Sequence, residues 1–154
     1  NIMLAICIGD YLNISTVNIK QGIENYTPKN NRSQIIETKN NTLILDAYNA
    51  NPSSMKAMLL SFSEEEYLNK LCILGDMLEL GKESEKEHQE IILLCTKLSL
   101  DCHYIGKEFR KVTKKAFRNR KEFEDKLKQK GISNNTILLK GSRGICLEKL
   151  VKHL

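Results

Sequence analysis

Four short apolar runs, each closed by a small or charged residue, constrain this chain more than any other feature. They are TLILD (Thr42–Asp46), KLCILGD (Lys70–Asp76), DCHYIG (Asp101–Gly106) and TILLKG (Thr136–Gly141). A continuous apolar run of this length, ended by glycine, is the pattern of a strand buried on both faces. Stretches with helical spacing separate the runs: SSMKAMLLSF, then SEKEHQEIILLCTKLSL, then a basic amphipathic segment. Strand and helix alternating at this spacing predict an α/β domain in three layers, with a mostly parallel sheet between helices. Upstream, SQIIETKNNTLILDAY reads as two strands, Gln34–Thr38 and Thr42–Asp46, around an asparagine-rich turn. GICLEKLVKHL reads as a closing helix.

Local signals support the helix starts. Asn51 is a good N-cap, and Pro52 falls at the first helical position, where its missing N–H costs nothing. Ser84 followed by Glu87 matches a capping box. With 154 residues, 41% of them hydrophobic and 28% charged, the chain fits one ordinary domain with a small appendage. A chain of this length buries roughly two-thirds of its unfolded surface without disulfide staples. Its five cysteines are scattered, odd in number and form no CxxC pair. That pattern indicates a reducing, cytoplasmic setting, with neither a disulfide framework nor a zinc site. Cys102 and His103 lack partners at ligand spacing, so no metal site is expected.

The opening NIMLAICIG is apolar, but it has no basic segment before it and is too short to span a bilayer. It lacks an initiator methionine and begins abruptly in helix-like sequence. The expectation is a chain that starts inside a helix of a larger protein. A short helix around Val17–Asn25 and a linker carrying Pro28 follow. The domain boundary falls near residues 27–31.

Charge is unevenly spread. The formal net charge is +5, yet Lys107–Lys130 holds eleven Lys or Arg against four acids. Such a stretch can attract nucleic acid or another polyanion. It also fits a solvated helix face whose Val112, Ala116, Phe123 and Leu127 turn inward. No aromatic-interleaved nucleic-acid motif accompanies it, which favours the solvated face.

The polar residues share an address. Asp46, Gly75-Asp76, Gly106 and Lys140-Gly141-Ser142 all fall at the carboxyl ends of expected strands, the edge where open α/β sheets bind ligands. A carboxylate there can hold a ribose diol, Tyr48 can stack, and Asn49 offers a donor and an acceptor. Lys140 and Arg143 flank a glycine-bounded turn suited to a carboxylate or phosphate. Asp76 and Glu79, bracketed by glycines, suggest a substrate wall or a plain turn more than paired acid/base groups, because Met77, Leu78 and Leu80 make the loop partly apolar. His88 lies with Ile91, Ile92 and Cys95 and reads as a satisfied core or interface histidine. No phosphate-binding GxxxxGK[ST] loop occurs in the chain.

DAYNANPSSMKAML, ILGDMLELG followed by His88, and LLKGSRG, in this order, resemble the C-terminal region of the Mur ligase family, in its D-alanyl-D-alanine-adding branch. The resemblance covers nearly the whole chain. It implies a Rossmann-like third domain at 30–154, preceded at 1–29 by a helical remnant of the central ATPase domain and a linker. It implies a cytoplasmic, monomeric ATP-dependent amide ligase of peptidoglycan precursor synthesis. That enzyme would add D-Ala-D-Ala to UDP-MurNAc-tripeptide through an acyl phosphate. It implies ATP contacts at Asn1, Arg32, Asp46 and Asn49, and a D-Ala-D-Ala side at Asp76, Lys140, Ser142 and Arg143. ATP and Mg2+ would be held mainly by the central domain, which this chain would close against. No metal ligand, nucleic acid or membrane is expected here, and this stretch alone should be inactive. The competing expectation is a stand-alone basic α/β module that binds nucleotide or nucleic acid.

Overall fold

The computed structural model describes residues 2–154; Asn1, expected among the ATP contacts, lies outside the described residues. Two helices open the chain, α1 (Ile2–Tyr11) and α2 (Thr16–Glu24). Gly9 lets them pack closely, since a Cβ there would meet Ile19 at 2.8 Å. It is the one buried residue of α1. Ile2, Met3, Leu4 and Ile8 all stay exposed.

The rest forms one five-stranded sheet: β1 (Gln34–Glu37), β2 (Asn41–Asp46), β3 (Lys70–Gly75), β4 (Asp101–Ile105) and β5 (Asn135–Lys140), in spatial order β1-β2-β5-β3-β4. β1 runs antiparallel to β2, and every other pairing is parallel. Between the strands lie α3 (Pro52–Glu64), α4 (Ser84–Lys97), α5 (Lys107–Val112) and α6 (Arg120–Gln129). The expected mostly parallel α/β domain is observed.

Alternation along the strands sorts the core into two faces. Leu43, Leu45, Ile73, Ile137 and Leu139 pack against Phe123 and Leu127 of α6 and against Leu147, Leu150 and Leu154. Cys72, Leu74, Leu138 and Tyr104 meet Met55, Leu59 and Phe62 of α3, Ile91 and Cys95 of α4, and Phe109 of α5. Each fully buried Leu or Phe here contributes about 2–3 kcal/mol. The inward face expected of the basic segment is present: Ala116, Phe123 and Leu127 are buried and Val112 packs at the edge of the core.

The edge at the amino ends of the strands is closed by hydrogen bonds. Asn41 donates through Nδ2 to Ile132 O at 2.8 Å and accepts from Asn135 N–H at 3.1 Å. It also donates to Leu154 O, which pins the end of the chain. The Thr38 hydroxyl accepts from Asn41 N–H at 2.9 Å and shapes the β1–β2 turn.

Two local expectations differ from the structure. Ser84 is no N-cap: a 3-10 turn, Gly81–Glu83, precedes it, and Ser84 already has helical angles. A cap needs extended backbone, so its hydroxyl instead donates to Glu108 at 2.7 Å. The complete capping box belongs to α3, where Asn51 and Ser54 bond reciprocally. The closing segment Leu147–His153 is a 3-10 rather than an α-helix. Cys146 precedes it in the left-handed conformation (φ 56).

Candidate functional site

The parallel register sets Asp46 opposite Lys140 at the carboxyl ends of β2 and β5. Their side chains form an ion pair, Lys140 Nζ donating to Asp46 Oδ2. Lys140 is 2% exposed and Asp46 17%, so the lysine is inside and the carboxylate faces outward. Its Oδ1 accepts from Ser33 N–H at 3.2 Å. The linker reaches it by a sharp turn in which Asn30, Asn31 and Ser33 all have positive φ (62, 59 and 45). Asparagine tolerates this region better than other non-glycine residues.

Beside that pair stands Tyr48. The Arg32 guanidinium lies 3.8 Å from its ring centroid and that of Arg143 5.3 Å. A ring attracts a guanidinium without using its donors. Both arginines are exposed, and their guanidinium donors meet no partner among the described residues. Asn49 is exposed, and its Oδ1 accepts from Ala50 N–H at 2.9 Å. Its side-chain N–H groups point to no partner among the described residues.

Asp76, at the end of β3, is built differently. It is 2% exposed. Its two oxygens accept from Glu108 N–H and Phe109 N–H, both at 2.9 Å, in the first turn of α5. Burial raises its pKa above the ordinary 3.8, against the opposing pull of those N–H groups. Gly106 leaves it room: φ there is +134, and a Cβ would fall 2.1 Å from the carboxylate. Nearby, His88 is fully buried. Met77 N–H donates to its Nε2 at 3.0 Å, and its Nδ1 lies 2.7 Å from Ser84 O. One ring nitrogen accepts and the other donates, which describes a neutral imidazole. His88 is therefore the satisfied core histidine expected.

Ser142 joins three loops. Its hydroxyl accepts from Leu78 N–H at 2.9 Å and donates to Ala50 O at 3.4 Å, while its N–H donates to Asp76 O at 3.0 Å. The ends of β3 and β5 touch at Gly141, where a Cβ would meet Gly75 Cα at 2.8 Å. Of the four residues expected on the acceptor side, Asp76, Lys140 and Ser142 are thus buried and bonded to protein, and only Arg143 reaches solvent.

Beyond Asp76 opens a groove of about 510 Å3. Leu78, Gly106, Gly144 and Ile145 line it, with Asp76 and Glu108. Lys107, Arg118, Lys121 and Lys149 also line it. None of the last four forms an ion pair among the described residues, whereas Arg120 beside them is engaged by Glu124. Reading the residues in order gave no reason to single out Lys107, Arg118 and Lys121 within the basic stretch, or Lys149 beyond it.

Residues 31–143 match the family model described as Mur ligase, glutamate ligase domain. The chain belongs to the Mur ligase family. Two curated relatives carry the name UDP-N-acetylmuramoyl-tripeptide–D-alanyl-D-alanine ligase. The one from Rickettsia prowazekii is 37% identical over 79% of this chain and 29% of its own length. The one from Bacillus subtilis is 33% identical over all of this chain and 37% of its own. The chain thus spans about a third of the length of these Mur ligases. Among solved structures, MurF from Acinetobacter baumannii superposes with a TM-score of 0.76 at 25% identity, over 96% of this chain and 34% of that one. MurF from Thermotoga maritima, in complex with ADP, gives 0.76 at 19% identity over 96% and 35%, and so attests the shared fold. Among the described residues no helix is long and apolar enough to cross a membrane, and no group of His, Cys, Asp and Glu could hold a metal ion.

Proposed function

We propose that this chain is the C-terminal domain, residues 30–154, of a cytoplasmic, monomeric ligase. That ligase joins D-Ala-D-Ala to UDP-MurNAc-tripeptide at the expense of ATP. Residues 1–29 belong with the central ATPase domain and the linker. The observation that carries this reading is the edge where Asp46, Tyr48, Arg32 and Arg143 converge, in a chain whose relatives bear that ligase name.

The residues present fit half of a nucleotide site. Asp46 keeps an outward carboxylate with room to accept from a ribose diol, held in place by Lys140 behind it. Arg32 and Arg143 offer guanidinium donors unengaged among the described residues, suited to phosphate oxygens. Asn49 adds amide donors beside them. ATP, with Mg2+, supplies the activation of the peptide carboxylate. Without a GxxxxGK[ST] loop, this domain orients nucleotide that another domain grips, and by itself it does not ligate. Its contribution is positional: it brings fixed charges and an acceptor groove to one edge.

The test uses the full-length polypeptide. Phosphate release should require UDP-MurNAc-tripeptide and D-Ala-D-Ala together, and Asp46→Asn should raise the KM for ATP more than that for the dipeptide. Release without either substrate, or salt-sensitive nucleic-acid binding in place of ligation, would overturn the reading.

A further inference from the structure

The groove beside Asp76 has an uneven charge pattern. Its floor holds carboxylates: Asp76 is buried there, and Glu108, bonded to Lys111 and to Ser84, stands next to it. Its rim holds Lys107, Arg118, Lys121 and Lys149, all exposed and free of ion pairs among the described residues. The Arg118 backbone N–H is taken by Glu122, but its guanidinium has no partner among the described residues. The remaining lining is apolar or bare: Leu78, Ile145, Gly106 and Gly144.

The topology explains why an opening lies here. The connection after β3 leads to α4, on the face built around Cys72 and Leu74. α6 and the segment after β5 pack on the opposite face, with Ile73 and Leu139. Neighbouring strands β3 and β5 thus send their chains to opposite sides, and a crevice forms outside their carboxyl ends. The groove is that crevice, extended by the start of α6.

We propose that Arg118 and Lys121 read the terminal carboxylate of the acceptor dipeptide. Its methyl groups lie along Leu78 and Ile145, and its amine is directed toward the floor near Asp76. This deepens the ligase reading above and rests on it. A short zwitterion matches a groove with negative floor and positive rim, because each end meets opposite charge. The amine end then lies at the β3 end, two strands from Asp46 in the order β2-β5-β3, roughly 10 Å away at the usual strand spacing. The carboxylate end points away from the nucleotide residues. These two cations would therefore distinguish a dipeptide acid from any neutral amine.

The experiment is steady-state ligation by the full-length enzyme, comparing D-Ala-D-Ala with its C-terminal amide. The wild type should prefer the acid. Arg118→Ala/Lys121→Ala should raise the KM for the acid about tenfold or more, the loss expected for charge-assisted hydrogen bonds. It should leave the KM for the amide and for ATP in place, so the preference for the acid disappears. Lys121→Arg should retain the preference. The proposal is overturned if the double variant still prefers the acid as the wild type does, or if its KM for ATP rises in step with that for the dipeptide. Failure of the ligase reading looks different, because the wild type itself would then join neither the acid nor the amide.

Discussion

Asp46 and Asp76 both end parallel strands, yet the fold treats them in opposite ways. Asp46 keeps one oxygen on a buried lysine and turns the other outward, where a single backbone N–H at 3.2 Å meets it. Asp76 is buried, and two backbone N–H groups at 2.9 Å meet it. The first carboxylate is held by a charge and stays available. The second is held by the backbone and fixes the turn from β4 into α5. Position at a strand end therefore does not make a carboxylate a ligand group. What stands behind it decides.

The sharpest way to break this contrast is Gly106→Ala. The new methyl would fall within 2.5 Å of three Asp76 atoms, in a backbone conformation that L-residues rarely adopt. Either the carboxylate leaves its two N–H donors or the β4–α5 turn opens. The expected loss is about 3 kcal/mol or more, read as a fall in the denaturant midpoint. A midpoint within experimental scatter of the wild type would show that Asp76 is not locked there.

Asp46→Ala comes next. It removes the partner of Lys140, which is 2% exposed, and a buried ammonium left alone costs about 3 kcal/mol. Adding Lys140→Met should recover most of that loss, because an apolar side chain of similar length needs no counter-charge. Lost nucleotide binding in Asp46→Ala would therefore mix a stability effect with a contact effect. The double variant separates them: stability returns and nucleotide affinity does not. If affinity returned with stability, Asp46 would serve the fold and not the nucleotide.

The contrast could not be read along the chain. The sheet could, because TILLK and KLCIL are apolar throughout and a strand buried on both faces leaves that mark. The helix caps were half legible: Asn51 fits with Pro52 and Ser54, whereas Ser84 carries the same signature inside a helix that starts from a 3-10 turn. The Asp46–Lys140 pair joins residues 94 apart. It exists only because β5 inserts between β2 and β3, an order that hydrophobic periodicity does not encode. Within GDMLELG, Asp76 and Met77 are buried while Leu78 is exposed, and the Asp76 carboxylate is held by N–H groups supplied 32 and 33 residues later. The clue present was Gly106, a glycine after a strand, which in isolation reads as a turn. Arg118 and Lys121 were hidden differently: in a run of eleven cations, composition cannot say which ones face a groove.

The smallest expected effect is a pH dependence of opposite sign at two buried-edge carboxylates. Burial raises Asp76 above its ordinary 3.8, so in the fold it binds its proton more tightly than in the unfolded chain. Its ionisation therefore costs stability as pH rises through the window above 3.8, and protonation returns that stability as pH falls. At Glu124 the surroundings also raise the pKa, but His153, Lys128 and Arg120 outweigh them and hold it down at about 2. Its contribution is present in full above its ordinary 4.5 and is lost as pH falls toward 2. Denaturant midpoints of Asp76→Asn and Glu124→Gln, each set against the wild type from pH 7 to pH 2.5, separate the two. The deficit of Asp76→Asn should widen on acidification, and that of Glu124→Gln should shrink. A deficit of Asp76→Asn that shrank in acid would mean that its two N–H donors outweigh burial. Asp76 would then be a stabilised anion like Glu124.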